Sequence, residues 1–468
     1  ASIGVHGVQL RNSWGDSAMR NFTVALRAKP IAFPAPRLEY LTTCCWGAGS
    51  KPGTLKFYIL TQSADVDVHA QVMIDGVAKD TLFLYGMRYD DGGIIPNTLA
   101  YPVYHYGMHA ALVESSVGTA VSVSVVNDGG AVSDTLEYRV PSADQRDDDG
   151  DGLLNEWEIN GYDDDGDGIV DVDLPALGAD PNHKDIFVEV DFMSGKTPAG
   201  DPWTAVETAF AQAPILNLFG GPGIHLHIDR GQSDWTDSDG TVHTIPVDER
   251  DGGSILTFSD FIRYDNNASS CADPGETTVN FHTLKGVNFD SARLNLFHYS
   301  IFANSHGHTC GSSGRAEIWG NDFFITLSDA NLANVNRVTG TFMHEFGHNL
   351  NLRHGGGDDN DNTLYEPNYR SIMSYRYQFD GVDIDCDAVG DAVYDYSRGR
   401  LRPLDEAALN EYTGICDIVA IDWNSNGTLE NPVSFDIDGS TDTIHDDFNS
   451  WGRLYLNFRD TGSAWGGS

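Results

Sequence analysis

The stretch His344-Glu345-Phe346-Gly347-His348-Asn349-Leu350-Asn351-Leu352-Arg353-His354 puts three imidazoles and a carboxylate into one short piece of chain. On a helix, residues four apart share a face with Cβ atoms about 5–6 Å apart, so His344 and His348 can hold one tetrahedral ion. Glu345 projects beside that pair, placed to take a proton from water without ligating the metal. His354 cannot reach the same ion if the helix runs on, so the chain must break near Asn351. Asn tolerates a left-handed backbone better than most residues with a Cβ. Three histidine ligands leave a fourth position open, which is the catalytic rather than the structural zinc arrangement. The alternative is a pair of surface histidines spaced by four through coincidence.

Outward from this stretch the pattern is one of alternating elements. Strands are expected over Ile186–Phe192, Gly223–Ile228, Leu294–Phe302 and Ile318–Leu327, with helices over Ala205–Ala213 and from about Leu332 to Asn349. Such alternation implies a mixed sheet with helices packed on it. Regular signals thin out from Gly355, leaving one helix candidate over Asp405–Tyr412. Residues 1 to about 142 read as strands separated by turn dipeptides such as Asp75-Gly76, the pattern of a β-sandwich.

Downstream, Ser371-Ile372-Met373-Ser374-Tyr375 completes a constellation that resembles the metzincin clan of zinc endopeptidases, whose extended pattern is HExxHxxGxxH followed by a Met-turn. Asn351 stands where the clan has Gly, and Gly355 follows the third histidine, which leaves the subfamily open. The pentapeptide looks most like the serralysin and astacin groups. The resemblance implies an α+β catalytic domain with a mixed twisted sheet and an active-site helix. In it Met373 would form an apolar floor beneath the zinc, and Tyr375 would ligate it or donate to the oxyanion; an ordinary core tyrosine is the alternative. It also implies an edge strand that pairs with extended substrate. Its counterpart here is Gly314–Gly320, with Ala316, Glu317, Ile318 and Trp319 as substrate-binding residues.

Between the two halves lies an acidic, Gly-punctuated segment. Asp147, Asp149, Asp151, Gly152, the Leu153 carbonyl and Glu158 fit the twelve-residue calcium loop. A second copy, Asp163, Asp165, Asp167, Gly168 and Asp171, has Leu174 where the bidentate Glu should stand, and resembles thrombospondin type 3 or dockerin loops. The two loops are expected to stiffen a linker. Asp422, Asn424, Asn426 and Gly427 read equally as a calcium turn lacking its closing acid or as an Asx-rich hairpin turn. The run Asp358–Asp361 reads as a solvated loop. The organisation expected is therefore a β-sandwich accessory domain (1–142), a calcium-binding linker (143–180) and a catalytic domain (181–468) with a C-terminal subdomain from about 355.

Across its 468 residues the chain carries 28 basic and 69 acidic residues, a net charge of −41, with 40% hydrophobic residues. It can build cores, but it repels phosphate backbones and anionic lipid, so nucleic acid is excluded as a partner. No apolar run approaches the roughly 20 residues of a membrane helix. Six cysteines, none in a CxxC pair, read as disulfides of an oxidising compartment. By sequence order Cys271–Cys310 and Cys386–Cys416 are the natural bridges, leaving Cys44 and Cys45 as a vicinal pair, a partner plus free thiol, or a latency switch. His306 and His308 read as surface histidines beside a disulfide, with a structural zinc as the alternative. The opening Ala1-Ser2-Ile3 suits a secreted, extracellular product. These readings converge on a monomeric secreted endopeptidase that acts on protein or peptide substrates, with one catalytic Zn2+ and one or more structural Ca2+. Two alternatives stand beside it: a peptidase restricted to glycoproteins or matrix, and a non-catalytic calcium-binding adhesin.

Overall fold

The computed structural model describes residues 147–468 apart from short segments (216, 218–221, 237–239, 266–270, 356–364, 438, 440–443, 446, 458–463 and 467–468), and in residues 1–146 only the strand backbone. Cys44, Cys45 and Asp358–Asp361, weighed above, lie outside what it describes of side chains. The chain divides into two units, Ala1–Pro141 and Ser142–Ser468.

In the first unit the strands form two four-stranded antiparallel sheets and two short two-stranded ones, Gly4–Val8 with Arg20–Val24 and Arg11–Asn12 with Gly15–Asp16. One four-stranded sheet runs Arg37–Cys44, Gly53–Thr61, Val103–Val113, Tyr85–Arg88 in spatial order, and the other Leu136–Arg139, Ala120–Asn127, Val68–Ile74, Val77–Ala78.

The second unit is built on a mixed sheet. Six of its seven strands are β1 (Asp185–Met193), β2 (His225–Asp229), β3 (Phe297–Phe302), β4 (Gly314–Ile318), β5 (Asp322–Ile325) and β6 (Ala464–Gly466), in the order β2-β1-β3-β5-β4-β6, and the short strand Ile255–Leu256 pairs in parallel with the end of β1. Strands β1, β2, β3 and β5 are parallel, while β4 is antiparallel to both β5 and β6. All nine residues of β1 are buried, as expected of a central parallel strand covered on both faces. Period two sorts them. Ile186, Val188, Val190 and Phe192 pack with helices α1 (Trp203–Ala211) and α2 (Val335–Asn349), through Val206, Phe210, Val338, Phe342 and Phe346. Phe187 and Met193 face a second core that includes Leu153, Tyr162, Val172, Leu174 and Leu177.

That second core corrects the reading of 143–180 as a linker. The described part of the acidic segment lays its few apolar residues against the sheet and belongs to the second unit. Leu174 is completely buried there, so its place at the closing position of the second loop is a packing choice.

Two more expectations change. The single strand expected over Ile318–Leu327 is the end of β4, a turn, and β5. Trp319 takes φ +56° and donates its N–H to the His348 carbonyl, so a tertiary tie at the helix end sets the reversal. Asp405–Tyr412 is not helical. Leu404–Asp405 pairs with Ile444–His445, and the buried Glu411 carboxylate accepts from Trp423 and Glu430 N–H groups, so side-chain bonds replace a helical ladder. A small separate core there joins Leu404, Leu409, Ile415 and Trp423. Both expected bridges form, Cys271–Cys310 and Cys386–Cys416. Among the described residues no helix is long and apolar enough to cross a membrane.

Candidate metal centre

Helix α2 begins at Val335 because the Asn334 side chain accepts the Arg337 N–H, and its C-terminal half is entirely buried. It ends in a Schellman arrangement. Leu352 N–H reaches the Gly347 carbonyl at 2.9 Å, Asn351 N–H reaches the His348 carbonyl at 2.9 Å, and Asn351 itself sits at φ +73°. This left-handed residue turns the chain so that His354 comes back over the helix. One donor atom from each of His344, His348 and His354 then lies within 4.8 Å of the others.

The rings are oriented from behind. His344 Nδ1 is 2.9 Å from the Ile372 carbonyl and His348 Nδ1 is 2.9 Å from the Leu352 carbonyl, so each Nδ1–H donates to main chain and each Nε2 is left for a ligand. His348 Nε2 lies 3.1 Å from His354 Nε2, and buried His344 Nε2 has no hydrogen-bond partner. Burial first, and then neighbouring positive charge, holds all three imidazoles neutral. His344 is pushed down to about 3 and His354, with Arg353 as its second cause, to about 4; His348 falls well below its ordinary value. Neutral imidazoles with inward-facing lone pairs fit a borderline divalent ion such as zinc.

Glu345 is fully buried and runs along β4. A Cβ added to Gly314 would stand 2.7 Å from both its Cγ and its Oε1, so only glycine leaves that channel open. Met373 is also fully buried. Its Sδ lies so close to the helix that a Cβ on Gly347 would stand 2.4 Å from it. The Tyr375 ring lies 4.5 Å from that of His354 and 5.6 Å from that of His344. The three histidines and the Tyr375 ring therefore come together around one point. Buried Asn349 secures this group to the sheet by donating to the Glu317 and Asp322 carbonyls.

Strand β4 departs from expectation in one respect. Its outer edge is not open: Ala316, Glu317 and Ile318 pair with Gly466, Trp465 and Ala464 of β6. Ala316 and Glu317 are buried, while Trp319 is 42% exposed.

The acidic loops form a second group. In the first, Asp147 Oδ1 and Oδ2 accept the N–H groups of Gly150 and Gly152, and Asp147, Asp149 and Asp151 converge. Leu153 buries its side chain and donates its N–H to Asp151. Glu158 is 2% exposed, and neither carboxylate oxygen has a hydrogen-bond partner. Burial, and then the charges of Asp151, Asp149, Asp185 and Asp147, push it up to about 12. A carboxylate so placed fits a hard cation shared with the loop. In the second loop Asp163, Asp165 and Asp171 converge likewise, and Asp167 accepts the Ile169 N–H.

Sequence reading missed a further copy. Asp383, Asp385, Asp387 and Asp391 repeat the spacing of Asp163, Asp165, Asp167 and Asp171. Asp383 accepts from Cys386 and Ala388 N–H just as Asp163 accepts from Gly166 and Gly168. Ala388 takes φ +69° where the other copy has glycine, which is what concealed it. The same nine-residue frame makes Glu430 the acid that Asp422–Gly427 was thought to lack, with Asp422 accepting from Asn426 and Gly427. His306, read as a surface residue, is completely buried.

No family model matches this chain, and no curated protein matches it. Among solved structures it is similar to the archaellum periplasmic stator protein complex FlaF and FlaG from Sulfolobus acidocaldarius, at 9% identity and TM-score 0.16, over 25% of this chain and 99% of that one. A likeness of that size supports no statement about fold or activity.

Proposed function

We propose that this chain is a secreted, calcium-stabilised zinc endopeptidase of metzincin type acting on extended protein substrates. The observation that carries the reading is the convergence of His344, His348 and His354, with Nδ1 of the first two braced by main-chain carbonyls and the His344 Nε2 buried without a hydrogen-bond partner. A mixed sheet backed by the helix that bears two of the ligands, with an antiparallel strand against Glu345, supports the catalytic domain. The two four-stranded antiparallel sheets of residues 1–141 support a sandwich-like accessory domain. The disulfides support an oxidising compartment.

The three histidines would hold zinc, which supplies Lewis acidity at the scissile carbonyl and the attacking water. Glu345 accepts the proton of that water and returns it to the leaving amine. Tyr375, beside the histidine rings, donates a hydrogen bond to the developing oxyanion. Substrate pairs as an added strand on β4, so β6 has to leave before a long peptide is bound. The first acidic loop would take calcium through Asp147, Asp149, Asp151, the Leu153 carbonyl and Glu158 and lock itself onto the sheet.

Glu345→Gln tests the reading. Cleavage of unfolded casein should fall by about 10²–10⁴-fold, the range of a lost general base, while bound zinc stays the same. Unchanged cleavage removes Glu345 from the chemistry. Absence of cleavage by the unaltered protein on all extended substrates favours the adhesin alternative.

A further inference from the structure

We propose that Asp185, His225 and His227 form a second metal centre, for a transition-metal ion of the zinc class, on the sheet face opposite α2. This inference does not depend on the peptidase reading. In the parallel register of β1 and β2, Asp185 faces His225 and Phe187 faces His227. Period two therefore puts Asp185, His225 and His227 on one face, while Ile186 and Leu226 turn to the core beneath α1 and α2.

The three donors point at one another. His227 Nε2 lies 2.6 Å from Asp185 Oδ1, His225 Nδ1 lies 3.4 Å from the same oxygen, and all three donor atoms fall within 4.8 Å. Asp185 and His227 are almost fully buried, and the His225 side chain is 12% exposed. Both rings are clamped by stacking. His183 lies 3.6 Å from His225 at an interplanar angle of 16°, and Phe187 lies 4.5 Å from His227 at 13°. Rings held in this way are preorganised for a ligand, as bracing groups do at metal sites. A small cleft beside them, lined by Ala211, Trp235 and Thr236, gives an ion a path in.

The donor chemistry separates this site from its neighbour. Asp185 also converges with Asp151 and Glu158 of the first acidic loop, an all-oxygen set suited to calcium. Two imidazoles and one carboxylate suit zinc, cobalt or nickel instead. Asp185 would thus join a hard and a borderline ion. The competing account is a buried His–Asp–His hydrogen-bonded group with no ion.

The test uses the full chain, saturated with calcium, titrated with zinc and counted by elemental analysis. The unaltered protein should hold two zinc ions. His225→Gln and His227→Gln keep a hydrogen-bonding side chain but ligate poorly, and each should lose one equivalent or weaken it at least 100-fold. His348→Gln should lose the other equivalent. Zinc-edge anomalous diffraction on unaltered crystals gives a readout that needs no variant, with one peak expected at each site. One zinc per chain, unaffected by either glutamine variant, or a peak at His344–His354 alone, overturns the proposal. A peak at Asp185–His227 alone upholds it and removes the peptidase reading.

Discussion

Gly347→Ala separates what a helix wants from what this site needs. Glycine in a helix interior is about 1 kcal/mol worse than alanine, so on an isolated helix the substitution would stabilise. Here the new Cβ would stand 2.4 Å from Met373 Sδ and 3.0 Å from Tyr396 Oη. Carbon and sulfur at rest sit at about 3.5–4 Å or more, so the sulfur must retreat by over about 1 Å. It has little room, because Met373 is fully buried and the Tyr396 hydroxyl is held by its 2.6 Å bond to the Met343 carbonyl. Overpacking costs about 1–3 kcal/mol, and a clash this deep falls in the upper part of that range, so after the propensity gain a net loss of up to about 2 kcal/mol remains. The residue before Met373 is Ile372, whose carbonyl braces His344, so the displacement should also weaken zinc binding. Urea unfolding and zinc titration of Gly347→Ala, Met373→Ala and the double variant measure both effects. In the Met373→Ala background the sulfur is gone, and Gly347→Ala should become neutral or stabilising. If Gly347→Ala stabilises the unaltered protein, or carries the same penalty in both backgrounds, the packing argument fails.

Four further outcomes are expected. Arg293, almost fully buried, bonds Glu189 at 2.7 Å, Asp229 at 2.8 Å and the Glu249 carbonyl at 2.6 Å, so Arg293→Met should cost about 3–5 kcal/mol in urea unfolding by stranding those carboxylates. Burial pushes Glu189 up to about 8 although Arg293 pulls it down, and an unfolded Glu titrates near about 4.3. The folded state therefore binds that proton more tightly, and its contribution is complete below about pH 4 and lost as pH rises through about 8. Glu189→Gln should flatten the fall in stability over that window, and an unchanged slope would show that Glu189 does not cause it. Calcium-selective chelation should lower the melting temperature by the equivalent of about 3 kcal/mol for an ion held at 100 times its Kd, and Glu158→Gln should abolish most of that calcium dependence. Deleting residues 464–468 should lower KM for extended peptides about tenfold, the worth of one or two net hydrogen bonds, with kcat for a dipeptide-sized substrate unchanged.

Local rules made the ending of helix α2 legible, because Asn351 acts where it stands, whereas its start, expected near Leu332, lies at Val335, where the Asn334 side chain caps it after a separate turn at Asp329–Leu332. The convergence of His344, His348 and His354 follows from the same local rules. What stayed hidden was non-local. Nothing around Leu174 shows that it faces a sheet rather than solvent, so an acidic segment with few apolar residues passed for a linker. The loop at Asp383–Asp391 escaped because Ala388 occupies a left-handed position that a glycine would have announced. The second strand on β4 comes from residues nearly 150 positions downstream. His225 and His227 looked like strand residues alone, since their partner Asp185 lies 42 positions before His227 and reaches it only through the parallel register.

Asp185 shows why the acidic segment belongs to the sheet and not to a hinge. Its N–H donates to Asp151 at 2.7 Å, Lys184 Nζ bonds the Asp149 carbonyl, and its carboxylate oxygens meet His227 and the Asp180 N–H. The first residue of the central strand is thus defined by the first loop on one side and by two imidazoles on the other. Cation binding in that loop acts on the strand entry before it can act on anything else. His344 and His348 lie across the sheet on α2, with His354 just past its end, and only β3, β5 and β4 separate β1 from Glu345 along it. Calcium should therefore set the stability of the whole second unit while changing zinc affinity at His344, His348 and His354 little at temperatures where the sheet stays folded. A large loss of zinc affinity on calcium removal, with the sheet intact by circular dichroism, would mean that the two faces are coupled through β1 itself.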